Sequence, residues 1–189
     1  MAGRPRRRRA GRAEPDETLH DLGPPADPEA VARAIVLTKL TAQARSRHEL
    51  ADALAAKAVP ADVAKQVLDR FTEVGLVDDV AFAEAWVRSR QTSRGLARRA
   101  LAHELRGKGV DEEVIRDSLG QIQPDDEREA ARVLVTRKLR STRGLDQATR
   151  ARRLAGLLAR KGYPAGLAMQ VVREALADDV AQATDQPAG

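Results

Sequence analysis

The sequence contains no cysteine, which excludes a disulfide framework and a thiolate metal site. Aromatic residues are nearly absent too: Phe71, Phe82, Trp86 and Tyr163 are the whole set, and Met169 is the one methionine after the first residue. A core must therefore be aliphatic, and single-stranded bases find few rings on which to stack. No apolar run is long enough to cross a bilayer, and nothing matches the apolar stretch of a signal peptide. A cytoplasmic protein with no membrane partner is the expectation. Alternating runs of β-branched residues are missing as well. Ala, Leu, Arg and Glu dominate, so helix is expected throughout and no sheet.

The net charge of +5 is modest for 189 residues, so its distribution carries more information than its size. Residues 28–77 and 78–124 are close to neutral, whereas residues 125–178 hold twelve basic side chains against seven acidic ones. Arginine is the preferred base, which suits bidentate contacts to phosphate or carboxylate, although a GC-rich genome produces the same bias. The run Arg6-Arg7-Arg8-Arg9 lies among prolines and the acidic residues Glu14, Asp16, Glu17, Asp21 and Asp27. Residues 1–27 are therefore expected to be a disordered tail rather than a targeting peptide. A second disordered tail is expected over 179–189.

What the chain does have is an internal repeat with a period near fifty residues. Its anchor occurs as Leu54-Ala55-Ala56-Lys57-Ala58-Val59-Pro60, as Leu105-Arg106-Gly107-Lys108-Gly109-Val110-Asp111, and as Leu158-Ala159-Arg160-Lys161-Gly162-Tyr163-Pro164. Each anchor ends one helix, turns through a small residue able to take positive φ, and opens the next helix on Pro or Asp. Ser46 with Glu49 fits a capping box, Gly75 and Gly120 fit helix C-termini, and Asp78, Asp111 and Asp125 fit N-caps. The spacing predicts helices near 28–43, 46–57, 60–73, 78–92, 95–106, 111–119, 125–140, 147–160 and 164–177. The fold class is thus all-α: three tandem three-helix, helix-turn-helix-like repeats over 28–77, 78–124 and 125–178, forming an elongated array.

A search for chemistry returns little. His20, His48 and His103 are far apart in sequence, the last two among polar residues of helices. The pairs Asp78-Asp79 and Asp125-Asp126 stand at helix starts, where capping explains them better than a catalytic or metal-binding dyad. Gly107-Lys108-Gly109 lacks the strand, the earlier Gly and the following Ser or Thr of a phosphate-binding loop. Because Lys57, Lys108 and Lys161 recur at one place, a cation at a helix C-terminus is the simplest account. No catalytic residue, cofactor or metal is expected. Basic residues gather at two equivalent connections: Arg88, Arg90, Arg94, Arg98 and Arg99, then Arg137, Lys138, Arg140, Arg143, Arg150, Arg152 and Arg153. In a stack of repeats these connections face one side, so a basic stripe for phosphate or acidic protein is expected.

The middle unit reads Gly75-Leu76-Val77-Asp78-Asp79, Phe82-Ala83, Trp86-Val87, Arg90, Gly95, Leu101, Leu105, Lys108-Gly109-Val110, Ile115 and Leu119. This run resembles the central signature of the RecX family, and Leu158-Ala159-Arg160-Lys161-Gly162-Tyr163 resembles its C-terminal pattern. The first unit departs from the pattern, with Lys57-Ala58 where Lys-Gly is usual. The resemblance implies a partner of the RecA filament on single-stranded DNA, one that restrains filament growth, ATP hydrolysis, strand exchange and LexA cleavage; separately, a monomer is expected. Weak direct DNA binding fits the basic connections. The competing expectation is a stand-alone helix-turn-helix DNA-binding protein, but Val114, Ile115, Arg116 and Asp117 offer few side chains able to read base edges.

Overall fold

Asp27 accepts a hydrogen bond from Glu29 N at 3.1 Å and Pro28 occupies the first helical position, so the first helix starts where capping chemistry places it. The computed structural model describes residues 27–184. The Arg6–Arg9 run, the rest of the N-terminal tail and residues 185–189 lie outside the described residues. All regular structure among the described residues is helical: α1 (Pro28–Ala42), α2 (Arg47–Ala55), α3 (Ala61–Glu73), α4 (Asp79–Arg94), α5 (Arg98–Gly107), α6 (Glu112–Gly120), α7 (Pro124–Leu139), α8 (Gln147–Arg160) and α9 (Ala165–Thr184), with a 3-10 turn over Arg140–Thr142.

The helices pack in consecutive threes. Each triple closes on a largely aliphatic core holding one buried aromatic ring, the third core also taking in Ala97 ahead of α5, and extensive helix contacts stay within the triple. The middle helix of every triple is the axis of that core. It carries a leucine pair four residues apart, Leu50 and Leu54, Leu101 and Leu105, or Leu154 and Leu158, all fully buried. Burying each leucine contributes about 2–3 kcal/mol. The second leucine of each pair is the anchor leucine of the repeat. Its carbonyl accepts from the amide of Val59, Val110 or Tyr163 at 3.1–3.2 Å, closing the turn across a left-handed residue, Ala58, Gly109 or Gly162.

Several local expectations shift. Ser46 and Glu49 do form the capping box, and Asp78 and Asp111 do cap α4 and α6. Asp125 does not cap α7: Pro124 opens that helix after Gln123, which places Asp125 in the first turn. Gly120 ends α6 inside the helix without positive φ, whereas Gly75 and Gly95 take the left-handed conformation that ends α3 and α4. The last helix does not stop near 177 but runs to Thr184. Asp179 explains the extension. Arg150 of α8 donates to it at 2.5 Å and Arg143 lies at 3.6 Å, so the residues just after 178 are tied to the third triple.

Candidate functional site

The triples meet at two joints built to one plan. At the first, the buried Ser46 ahead of α2 donates from its hydroxyl to the Lys108 carbonyl at 2.6 Å. The Lys108 ammonium returns to Glu49 at 2.6 Å, and Asp79 of α4 accepts from Arg47 N at 2.8 Å. At the second, Ala97 N donates to the Lys161 carbonyl at 2.9 Å, and the Lys161 ammonium donates to the Arg94 carbonyl at 2.7 Å. Glu127 of α7, 6 % exposed, accepts from Arg98 N at 3.0 Å and from the Arg98 guanidinium. In both joints a Lys-Gly turn docks on the start of the preceding repeat's middle helix, and a carboxylate of the following repeat satisfies an otherwise orphaned amide there.

The joints account for the recurring signature letters. Gly109 and Gly162 have φ of +67° and +87°, and a Cβ at either would strike the preceding repeat, His48 in one case and Ala100 in the other. Glycine is therefore required twice over. Lys57-Ala58 belongs to the first repeat, which has no preceding repeat to dock on among the described residues, and both residues are exposed. Lys108 and Lys161 bridge repeats: Lys108 reaches Glu49, and Lys161 does meet a helix C-terminus, but that of α4 in the neighbouring unit.

Trp86 is a partly buried ring at the border of the second core, not its centre. It stacks on buried Phe82 at 5.7 Å, donates to Glu104 at 2.9 Å and lies under Arg90 at 4.0 Å and Lys108 at 4.9 Å. The signature thus runs from the core through Leu105 and Phe82 to Trp86 and out to the first joint through Lys108.

Charge at the joints shows in two titrating groups. Burial alone would raise the Glu49 carboxyl, but hydrogen bonds from the Lys108 ammonium and from Ser46 N outweigh it and hold the group below the ordinary carboxylate value. Burial, with the nearby Glu127 charge, pushes the Tyr163 phenol up to about 12; its hydroxyl donates to the Gly95 carbonyl at 3.2 Å.

The expected basic residues fall into two groups. Arg88 pairs with Glu84, Arg90 and Arg94 with Glu104, Arg98 with Glu127, and Arg143 and Arg150 with Asp179. Arg99, Arg137, Lys138, Arg140, Arg152 and Arg153 are exposed and have no ion-pair partner among the described residues. Free positive charge is therefore concentrated on the end of α7, the turn after it and α8, with Arg99 of α5 beside the end of α8 at the second joint. Sequence reasoning missed Arg160, which lines a cleft together with Arg99, His103 and Arg106. The i, i+4, i+7 spacing of 99, 103 and 106 was the available signal. Among the described residues no group of three or more His, Asp or Glu is placed to hold a metal, and no helix is long and apolar enough to cross a membrane.

Comparison with known proteins follows the same division into triples. Models for the first, second and third three-helix domains of RecX match residues 32–71, 78–119 and 125–172 in that order. The chain belongs to the RecX family. It is 56% identical over 156 residues to the regulatory protein RecX of Streptomyces lividans, covering 82% of this chain and 83% of that protein. The regulatory protein RecX of Thermobifida fusca is 55% identical over 152 residues, covering 80% and 82%. A crystal structure of RecX from Lactobacillus salivarius superposes with a TM-score of 0.73 at 19% identity, covering 80% of this chain and 98% of that one, and so shares the fold. A second structure of a regulatory protein RecX gives a TM-score of 0.69 at 25% identity, covering 77% and 72%.

Proposed function

We propose that this chain is a negative regulator of RecA. It binds the RecA filament on single-stranded DNA and limits filament growth, ATP hydrolysis, strand exchange and the LexA coprotease reaction. The observation that carries this reading is the match of all three RecX domains in order across residues 32–172. An array of small units joined end to end suits a helical filament, because several weak contacts to successive protomers add through effective concentration. The binding residues are sought among the free cations Arg99, Arg137, Lys138, Arg140, Arg152 and Arg153, whereas Arg98 holds the second joint. The protein acts in this reading as a cytoplasmic monomer and without catalysis.

The stand-alone helix-turn-helix reading is weaker. The outer side of α6 presents Glu112, Glu113, Arg116 and Asp117, an acidic set that repels phosphate and reads few bases. Adding the chain to RecA, single-stranded DNA and ATP should suppress steady-state ATP hydrolysis at sub-stoichiometric ratios. Unchanged hydrolysis at an equimolar ratio refutes the regulator reading. Neutralising Arg99, Arg152 and Arg153 together should weaken inhibition while the melting temperature is kept.

A further inference from the structure

The second joint leaves an open cleft of about 410 Å³ between α5 and the end of α8. Arg99, His103 and Arg106 line it from one face of α5, and Arg160 lines it from α8. The floor is Ala100 and Ala159, too small to fill the space. Arg106 is shared with Glu112, while Arg99, His103 and Arg160 have no hydrogen-bond or ion-pair partner among the described residues. Arg153 stands two helical turns before Arg160 on the same side of α8, about 10 Å away along the axis.

The first joint supplies an internal comparison, because the same docking is made there with other side chains. Counting from the anchor leucines, Arg99, His103, Arg106 and Arg160 correspond to His48, Asp52, Ala55 and Gly107. There Asp52 lies 3.5 Å from His48 Nε2, and no comparable set of cations is assembled. Joining two repeats therefore needs the Lys-Gly turn and the amide-capping carboxylate, which both joints keep, and does not need cations around the cleft. The basic side chains of the second joint require a different reason. Packing does not supply one.

We propose that the cleft between α5 and α8 seats backbone phosphates of nucleic acid, with Arg99 and Arg160 as the principal contacts and His103 and Arg106 completing the rim. This deepens the filament-binding reading by assigning part of the basic surface to nucleic acid rather than to protein. The chemistry of the cleft favours that assignment. A protein partner is anchored by apolar or aromatic side chains in a desolvated centre, and none of the large exposed apolar residues lines this cleft. Base stacking has no platform either, since Phe71, Phe82 and Tyr163 are buried and Trp86 is covered by Arg90 and Lys108. Recognition is therefore of backbone, without sequence preference and with strong dependence on salt.

The test uses the full chain and a fluorescently labelled oligo-dT strand, without RecA, over a salt titration. Wild type should bind with an affinity that falls steeply as salt rises. Arg99→Gln with Arg160→Gln should flatten the slope of log K against log salt by about 1.4, because each single-strand phosphate contact contributes about 0.7. Near 0.1 M salt this is roughly a 25-fold loss of affinity. The charge-keeping pair Arg99→Lys and Arg160→Lys should retain the slope. Lys39→Gln with Lys57→Gln removes as much charge from the first repeat and should leave the slope unchanged. No binding by wild type, an unchanged slope in the Gln pair, or an equal loss in the first-repeat pair overturns the proposal. Unchanged DNA binding with weakened RecA inhibition also overturns it, and assigns the cleft to protein. Because the measurement omits RecA, its failure leaves the regulator reading standing, and failure of RecA inhibition leaves the cleft measurement intact.

Discussion

Replacing Gly162 by alanine should do far more harm than its one added methyl group suggests. Two independent terms meet at this position. A φ of +87° is unfavourable for an L side chain, a penalty of about 1–2 kcal/mol. The new Cβ would also stand 2.6 Å from Ala100 N, a backbone atom inside α5 that no rotamer change can move aside. The second joint must then open. Opening strains the bonds from Ala97 N to the Lys161 carbonyl, from the Lys161 ammonium to the Arg94 carbonyl and from Tyr163 to the Gly95 carbonyl. Three hydrogen bonds at about 1 kcal/mol each bring the total to roughly 4–5 kcal/mol. Gly144→Ala is the matched control: its φ is +88° but nothing lies within 4 Å, so only the conformational penalty of about 1–2 kcal/mol remains. Urea unfolding followed by circular dichroism compares the two, and hydrogen exchange at the Ala97 and Arg98 amides locates the damage. If both variants lose stability equally, or those amides stay protected in Gly162→Ala, the joint is not what glycine serves.

Other outcomes follow from the same geometry. Ala58→Gly should stabilise the chain by about 1–2 kcal/mol in thermal or urea unfolding, the reverse of the Gly144→Ala penalty, since Ala58 holds φ +56° in an exposed turn. Tyr163 is the one tyrosine, so ultraviolet titration of the phenolate reads it alone and should show a midpoint near 12; its neutral form is favoured in the fold, so this stabilisation is complete below the ordinary tyrosine value near 10 and is lost as pH rises from there through about 12. Glu49 has the opposite sign. Its depressed carboxyl contributes stability above the ordinary carboxylate range that is lost as pH falls through the folded value, so acid should loosen the first joint, and Glu49→Gln should abolish that part of the pH dependence in hydrogen exchange at Arg47.

The repeat was legible because its marks are local. A leucine, a small residue able to take positive φ, and a following Pro or Asp stand at fixed spacing, and the capping box at Ser46 is likewise contained within four residues. The joints were not legible, because Ser46 and Lys108 are 62 positions apart and Lys161 and Arg94 are 67 apart. From sequence a lysine after a helix suggests its own helix dipole, and only packing reveals that it reaches the neighbouring repeat. The same reason explains the misread end of α9: Asp179 extends that helix through a partner 29 residues away. Arg98 and Arg99 show the limit most sharply. They are adjacent and chemically identical, yet one is tied to a buried Glu127 and the other is free.

That contrast changes how the positive charge of such an array should be counted. Arginines beside an inter-repeat connection serve first to satisfy carboxylates of the fold itself: Arg90 and Arg94 pair with Glu104 inside the second repeat, and Arg98 pairs with Glu127 across the joint. Only the remainder is available to a partner. In this chain that remainder is uneven: the first joint uses Lys108 and the Arg47 amide and leaves His48 beside Asp52, whereas the second leaves Arg99 and Arg160 around an open cleft between α5 and the end of α8. Two joints of one design thus differ in surplus charge, and the difference lies in side chains that the docking does not use. If the cleft seats phosphate as proposed, a polyanion meets the third repeat at its junction with the second, leaving the near-neutral first repeat free for contacts of another kind.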